Sequence, residues 1–421
     1  MSNARLEADH LTAAGQPARG DLALVLTGGT ARGAYQAGVL RGLAKRLPDL
    51  RFPIIAGVSA GAINASFIAA HPGSLAEATQ ELCEIWHGLQ VEDIFRVDTA
   101  SLARHFTRWA ARLVSGGLSL TADVRGLVDT RPLHATIQRS SATVDGELIG
   151  IQRNLERGTL KALALTALNY GTEQTVTWVQ ARDFHPWCQP RHRSIPARIT
   201  VEHVMASSAL PLFFPAIRLG NDWYGDGGIR LSTPLAPALR LGATRMLAIS
   251  PHREPTLERV ERPRNEGYPP PAQILSHLMD AIFLDVVDED VRRLEGINRL
   301  LAKLPPEAWG GLRRIGIRSI RPSQDLGALA SSYEPRLPVG FRYLTRSLGT
   351  RETDSSDFLS FLMFQPDYLQ RILEIGEADA EARQDDVRAL MEGIPGPAEP
   401  PVGEESIEDW ADRLDPLPQD P

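Results

Sequence analysis

Residues 22–40 read LALVLTGGTARGAYQAGVL. An unbroken apolar run ends in a glycine-rich turn, and a helix-like pattern follows. A short run of this kind suits a strand buried on both faces, as in a parallel sheet. The turn aims backbone N–H groups at a helix N-terminus, where negative charge is favoured. Two phosphate-binding readings fail on chemistry. A dinucleotide fingerprint requires glycine where Thr30 stands. A P-loop shares the spacing of Gly28 and Gly33, but Ala34 and Tyr35 replace the lysine and hydroxyl that would hold terminal phosphates and Mg²⁺.

Outward from this stretch the same rhythm continues. A helix is expected from about Ala34 to Leu47, a strand from Leu50 to Ala56 and a helix from Ala60 to Ala70. Such alternation marks an α/β sheet with helices on its faces. Further strands are expected at 160–168, 175–180, 217–223 and 244–250, and a helix at Val201–Ala209. The stretch 75–145 reads as mostly helical. Beyond a break at RPRNEGYPPP (262–271), one long helix is expected at 272–301, a strand at 312–319 and mostly helix over 337–383. No internal repeat is visible.

The bulk numbers narrow the classes. The chain has 421 residues, is 43% hydrophobic and 23% charged, and carries a formal net charge of −7. That balance argues against a nucleic-acid binder. Its two cysteines, Cys83 and Cys188, lie far apart and outside any metal-ligand spacing. They fit reduced thiols in a cytosolic protein, and no metal or cofactor is expected. The polar N-terminus predicts no cleaved secretory signal, and no run is long and apolar enough to span a membrane. The expected location is cytoplasmic.

The next turn supplies a chemical role for the first. GVSAGAINA, residues 57–65, contains Gly57-x-Ser59-x-Gly61, a nucleophile-elbow pattern. Small flanking residues let a sharp strand-to-helix turn raise the serine above the sheet. The bland alternative is a glycine-flanked helix start with Ser59 as a cap. If Ser59 is a nucleophile, the Gly28–Gly33 loop on the neighbouring strand suits the oxyanion of a tetrahedral intermediate. A proton acceptor is then needed, and Asp226 in YGDGGIRLSTP is the strongest candidate. Its following glycines also fit a plain turn.

Four blocks together resemble the patatin-like phospholipases in their bacterial form. They are GGTARGAYQAGVL, GVSAGAINA, VMASSALPLFFPAI at 204–217 and YGDGGIRLSTPLAPALRLGA at 224–243. The resemblance covers about residues 21–252. It implies a three-layer α/β/α domain with a mostly parallel sheet and a helical C-terminal region. It implies a Ser59–Asp226 dyad acting on acyl-ester lipids such as phospholipids, without a metal in the catalytic step. By the same likeness the oxyanion hole comprises Gly28, Gly29, Thr30, Arg32 and Gly33. Arg32 takes the basic position of the loop, suited to orienting it or neutralising charge. The departure is Thr30, where the family has glycine; a β-branched residue is poorly suited to positive φ.

The expected organisation is a flexible arm (1–20), a catalytic domain (21–261), a mainly helical region (262–393) and a disordered proline-rich acidic tail (394–421). A Ser59–Asp226–His252 triad is the competing arrangement on chain order. An acyltransferase on the same acyl-enzyme and a non-catalytic lipid-binding descendant also remain open. LARHFTRWAARL at 102–113 is a basic amphipathic stretch, read first as a packed helix and second as a peripheral membrane contact. DVVDEDV at 285–291 reads as a solvated acidic face and RHR at 191–193 as a surface loop. Phe213, Phe214 and the 204–212 helix read as core. Oligomeric state is not encoded in any of these features.

Overall fold

The computed structural model describes residues 21–96, 126, 128–253, 269–347, 349, 350 and 357–393. Within them a central sheet is flanked by helices on both faces. Its strands are β1 (Leu22–Leu26), β2 (Ile54–Val58), β3 (Ala162–Asn169), β4 (Thr175–Ala181), β5 (His192–Pro196), β6 (Ile217–Leu219), β7 (Asp222–Asp226), β8 (Arg245–Ile249) and β9 (Gly316–Ile320). The order across the sheet is β9-β8-β1-β2-β3-β4-β5. The five strands from β9 to β3 run parallel. β4 pairs antiparallel with β3, and β5 runs parallel to β4.

The period-2 geometry of β1 explains its unbroken apolar sequence. Leu22, Leu24 and Leu26 enter one core. Ala23 and Val25 enter the other, with Val287, Val291 and Leu294. Both faces are therefore dry, as a parallel sheet with helices on each side requires. This is the expected three-layer α/β/α arrangement. The helices used below are α1 (Gly33–Arg46), α2 (Ala60–Ala70), α3 (Leu75–Gly88), α4 (Arg131–Ser140), α5 (Val201–Ser207), α6 (Pro271–Phe283), α7 (Asp285–Ala302), α8 (Asp357–Leu362) and α9 (Pro366–Ala382).

Several local expectations are corrected. β2 begins at Ile54, because Leu50 N–H closes a turn onto the Leu47 carbonyl at 2.9 Å. The expected strand at 217–223 is a hairpin of β6 and β7, turned at Gly220 with φ +62°. The helix expected at 272–301 breaks at Leu284, where the chain bends to bury both Phe283 and Leu284. No glycine or proline marks that break. The acidic run is not a solvated face throughout. Asp288 is buried in an ion pair with Arg321 at 2.9 Å, and buried Asp290 accepts from Leu235 N–H at 3.0 Å. His192 and Arg193 belong to edge strand β5 rather than a loop. The 102–113 stretch lies outside the described residues. Among the described residues no helix is long and apolar enough to cross a membrane.

Candidate active site

Strand register brings the two principal candidates together. β2 pairs along β3 as far as Val58 opposite Thr166. The next residue of β3, Ala167, pairs instead with Asp226 at the end of antiparallel β7. The opposite edge of β3 is occupied by β4 through Leu168. Val58 and Asp226 are thus consecutive neighbours on one edge of β3. Ser59, one residue past Val58, emerges beside Asp226 at the carboxyl end of the parallel strands, the usual location for α/β sites.

Ser59 sits on a strained turn, with φ +57° and ψ −133°. Such backbone costs on the order of 1–3 kcal/mol and persists only where neighbours hold it. Those neighbours are visible. The Ser59 N–H donates to Ser207 Oγ at 3.1 Å, Ser207 Oγ donates to the Thr166 carbonyl at 2.6 Å, and Ser208 Oγ donates to the Ser59 carbonyl at 2.9 Å. Sequence reading took this VMASSALP block as core and assigned no role to either serine. Gly61 is required by close approach: a Cβ there would lie 2.3 Å from the Leu26 carbonyl oxygen. At Gly57 a Cβ would meet Ala65 and the Gly61 carbonyl, both at 2.7 Å.

Asp226 is fully buried. Burial raises its pKa to about 7, against the opposing effects of Ser59 and of the Gly228 N–H, which bonds Oδ1 at 2.9 Å. The Ser59 hydroxyl is near enough to act on the carboxyl but short of hydrogen-bond geometry. Oδ2 consequently lacks a partner among the described residues.

The glycine loop lies against the serine. A Cβ on Gly28 would stand 3.0 Å from Ser59 Cβ and 3.4 Å from its Oγ. Thr30 does adopt the left-handed region, with φ +46°. Its hydroxyl donates to the Phe361 carbonyl in α8, leaving only its N–H for the loop's concave side. Among the described residues the N–H groups of Gly28, Gly29 and Thr30 make no hydrogen bond to protein. Those of Arg32 and Gly33 are used inside the turn, onto the carbonyls of Gly29 and of Thr30 and Ala31. Arg32 directs its guanidinium to Asp357 and Ser360. Gly33 is needed for packing, since a Cβ there would strike Trp86 at 2.7 Å.

His252 belongs to a different environment. Its Nε2 lies 3.7 Å from Asp285 Oδ1, in a charged cavity also lined by Arg32, His277 and Asp357. Burial, then Arg32, lower its pKa. Ser59 instead opens into an apolar cleft lined by Ile63 and Phe67 of α2, Leu82 and Trp86 of α3, and Ile137 of α4. Three hydroxyls on its wall donate within the protein. Ser66 donates to the Ala62 carbonyl at 2.6 Å, Thr136 to Asp93 at 3.2 Å and Ser140 to Thr136 at 2.9 Å. The cleft therefore offers little to a polar ligand. Phe283 of α6 packs against the glycine turns beside Ser59; a Cβ on Gly228 would fall 2.5 Å from its ring and one on Gly28 3.4 Å. No sequence pattern pointed to this residue. Among the described residues no group of three or more His, Cys, Asp or Glu is arranged to hold a metal.

A family model described as patatin-like phospholipase matches residues 24–239. Among solved structures, VipD from Legionella pneumophila is 14% identical, with 89% of this chain and 69% of that one covered and a TM-score of 0.34. Human GIVD cytosolic phospholipase A2 is 13% identical, with 89% and 59% covered and a TM-score of 0.42. A chain of the ExoU–SpcU complex from the type III secretion system of Pseudomonas aeruginosa is 16% identical, with 92% and 83% covered and a TM-score of 0.25. This chain therefore spans about three fifths of the human enzyme. No curated protein sequence matches it. The family model takes in just over half of the chain, including Ser59, Asp226 and the glycine loop, and the chain belongs to the patatin-like phospholipase family.

Proposed function

We propose that this protein is a serine acyl hydrolase of phospholipids or other acyl-ester lipids, working through a Ser59–Asp226 dyad. Family membership supports lipid hydrolysis. The dyad rests on one observation above all: strand register sets Ser59 beside a fully buried carboxyl whose pKa is about 7. A base with that pKa is poised to accept a proton near neutrality.

Ionised Asp226 takes the Ser59 hydroxyl proton as Oγ bonds the ester carbonyl carbon. The carbonyl oxygen becomes an oxyanion facing the N–H groups of Gly28, Gly29 and Thr30. Collapse breaks the ester C–O bond, and Asp226 returns the proton to the leaving alcohol. Water then attacks the acyl-Ser59 ester, giving its proton to Asp226, and the fatty acid leaves as Ser59 recovers its hydrogen. The apolar cleft beside Ser59 suits the acyl chain. The placement of His252 against Asp285 and Arg32 favours two residues over a triad.

The test is a panel of glycerolipids and synthetic esters incubated with the wild-type chain and Ser59→Ala, alongside a fluorophosphonate probe. Fatty-acid release and probe labelling are expected only with Ser59 present. Release persisting undiminished in Ser59→Ala would overturn the assignment.

A further inference from the structure

The glycine loop is anchored from outside the residues that match the family. Its anchor is α8, residues 357–362, whereas the match ends at 239. Three contacts tie the two together. Arg32 Nε donates to Ser360 Oγ at 2.7 Å, Arg32 Nη2 is ion-paired with Asp357 Oδ1, and the Thr30 hydroxyl donates to the Phe361 carbonyl. The guanidinium also lies over the Phe361 ring, 5.0 Å from its centroid.

Each contact restrains a different freedom. Arg32 is 2% exposed and always charged, so it requires a buried partner. Its planar fork fixes orientation as well as distance when two groups meet it from one helix. Ser360 is held in turn, donating to the Asp357 carbonyl at 2.6 Å. Thr30 has a backbone that a β-branched residue resists, with φ +46°, and its hydroxyl bond holds that turn. The helix itself is fastened: Phe358 N–H donates to Ser276 Oγ of α6 at 2.9 Å, and its ring packs 5.8 Å from Phe213. Donors for a transient charge must be held within about half an ångström to be effective. Inside the loop the Arg32 and Gly33 N–H groups close the turn onto the carbonyls of Gly29, Thr30 and Ala31, and the α8 contacts hold that turn from outside.

We infer that Asp357 and Ser360 are positioning residues for the oxyanion loop, acting through Arg32. The inference rests on the dyad reading above. It makes the C-terminal region part of the reaction machinery and gives this chain's threonine-bearing loop a means of keeping its N–H groups aimed.

The experiment measures kcat and KM on a soluble ester for Asp357→Asn, Asp357→Glu, Ser360→Ala and Thr30→Val. Each kcat is expressed per Ser59 titrated by a fluorophosphonate, so that loss of folded protein does not register. For Asp357→Asn, kcat is expected to fall about 10- to 100-fold with KM little changed, as for a damaged oxyanion site. Asp357→Glu should recover part of that loss. Ser360→Ala and Thr30→Val should each lower kcat by more than about twofold. Should Asp357→Asn fail to fold, those last two decide the matter. Values within about twofold of wild type in the folded variants would overturn the inference. Ser59→Ala is run beside them: its retained activity would sink the dyad reading, whereas its inactivity beside unimpaired Asp357 and Ser360 variants sinks only the brace.

Discussion

Asp226 is a carboxyl surrounded by protein, and its chemistry and its cost have the same origin. Water is excluded, so ionisation is disfavoured and the pKa rises to about 7. As the proposed base, it must be ionised, so kcat/KM is expected to fall as pH drops below about 7 and to level above it. A pH profile flat from 5 to 9 would exclude Asp226 as that base. The same shift has a stability consequence. Below about pH 4 the group is protonated in both folded and unfolded chains. As pH rises through the interval up to about 7, the unfolded chain ionises first and stability falls. Above it the burial penalty is complete, on the order of 4 kcal/mol. Asp226→Asn should therefore lose activity by about 10²–10⁴-fold, yet melt higher than wild type at pH 8. That advantage should largely vanish near pH 4, which thermal unfolding at both pH values checks. Gly28→Ala is expected to fold but turn over poorly, because its Cβ would stand 3.0 Å from Ser59 Cβ. Unchanged kcat there would show that the loop can retreat without consequence. Both glycine turns were legible because their small residues cluster within a few positions, although what excludes a side chain at Gly61 and Gly33 is the distant Leu26 carbonyl and Trp86. The missing lysine and hydroxyl that ruled out a P-loop are local too. The destination of the Arg32 and Thr30 side chains was not, since their partners lie over 320 residues away in sequence.

At the scale of elements, the site is assembled by a helix start, a strand end and a helix packed beside them. α5 ends in the serines that clamp the Ser59 backbone. Ser207→Ala should lower kcat more than it lowers stability, because it frees a strained turn; comparing kcat with the unfolding midpoint tests this. Helix α6 lays Phe283, which is 5% exposed, against the Gly28 and Gly228 turns beside Ser59. Phe283→Ala is expected to speed fluorophosphonate labelling of Ser59 in plain buffer, at a stability cost of about 3–5 kcal/mol. Slower or unchanged labelling would mean that the ring is not what limits access. The elements best read from sequence were β1, α2 and β3, where apolar run length and flanking small residues agree. Those misread differ in cause. The bend at Leu284 answers to burial and carries no local glycine or proline signal, whereas the hairpin at Gly220 pairs adjacent residues and carries a local turn signal in Gly220-Asn221 that the single-strand reading passed over.

Across the whole molecule, the family-matched portion does not close its own core. β9 pairs with β8 at the sheet edge, and α9 lies along α1 so closely that a Cβ on Gly38 would meet the Leu373 carbonyl oxygen at 2.2 Å. Ion pairs line the rim of that contact, Arg41 with Glu377 at 2.6 Å among them. A chain ending at residue 253 would expose this face of α1 and lose α8. It is expected to be insoluble or to leave Ser59 unlabelled by the probe; soluble, labelled protein would show the first 253 residues to be self-sufficient. The sequence by itself determined the α/β alternation, the elbow at Ser59, the candidacy of Asp226 and the rejection of a nucleotide site. Those follow from side-chain size and spacing within a few residues. Only the tertiary structure decided that Ser59 and Asp226 adjoin, because that depends on where β2 stops and β7 begins along β3. Only it decided that Arg32 and Thr30 face the C-terminal helix, and that His252 sits with Asp285. Burial and long-range pairing set those outcomes, and both are properties of the folded chain rather than of any stretch of it.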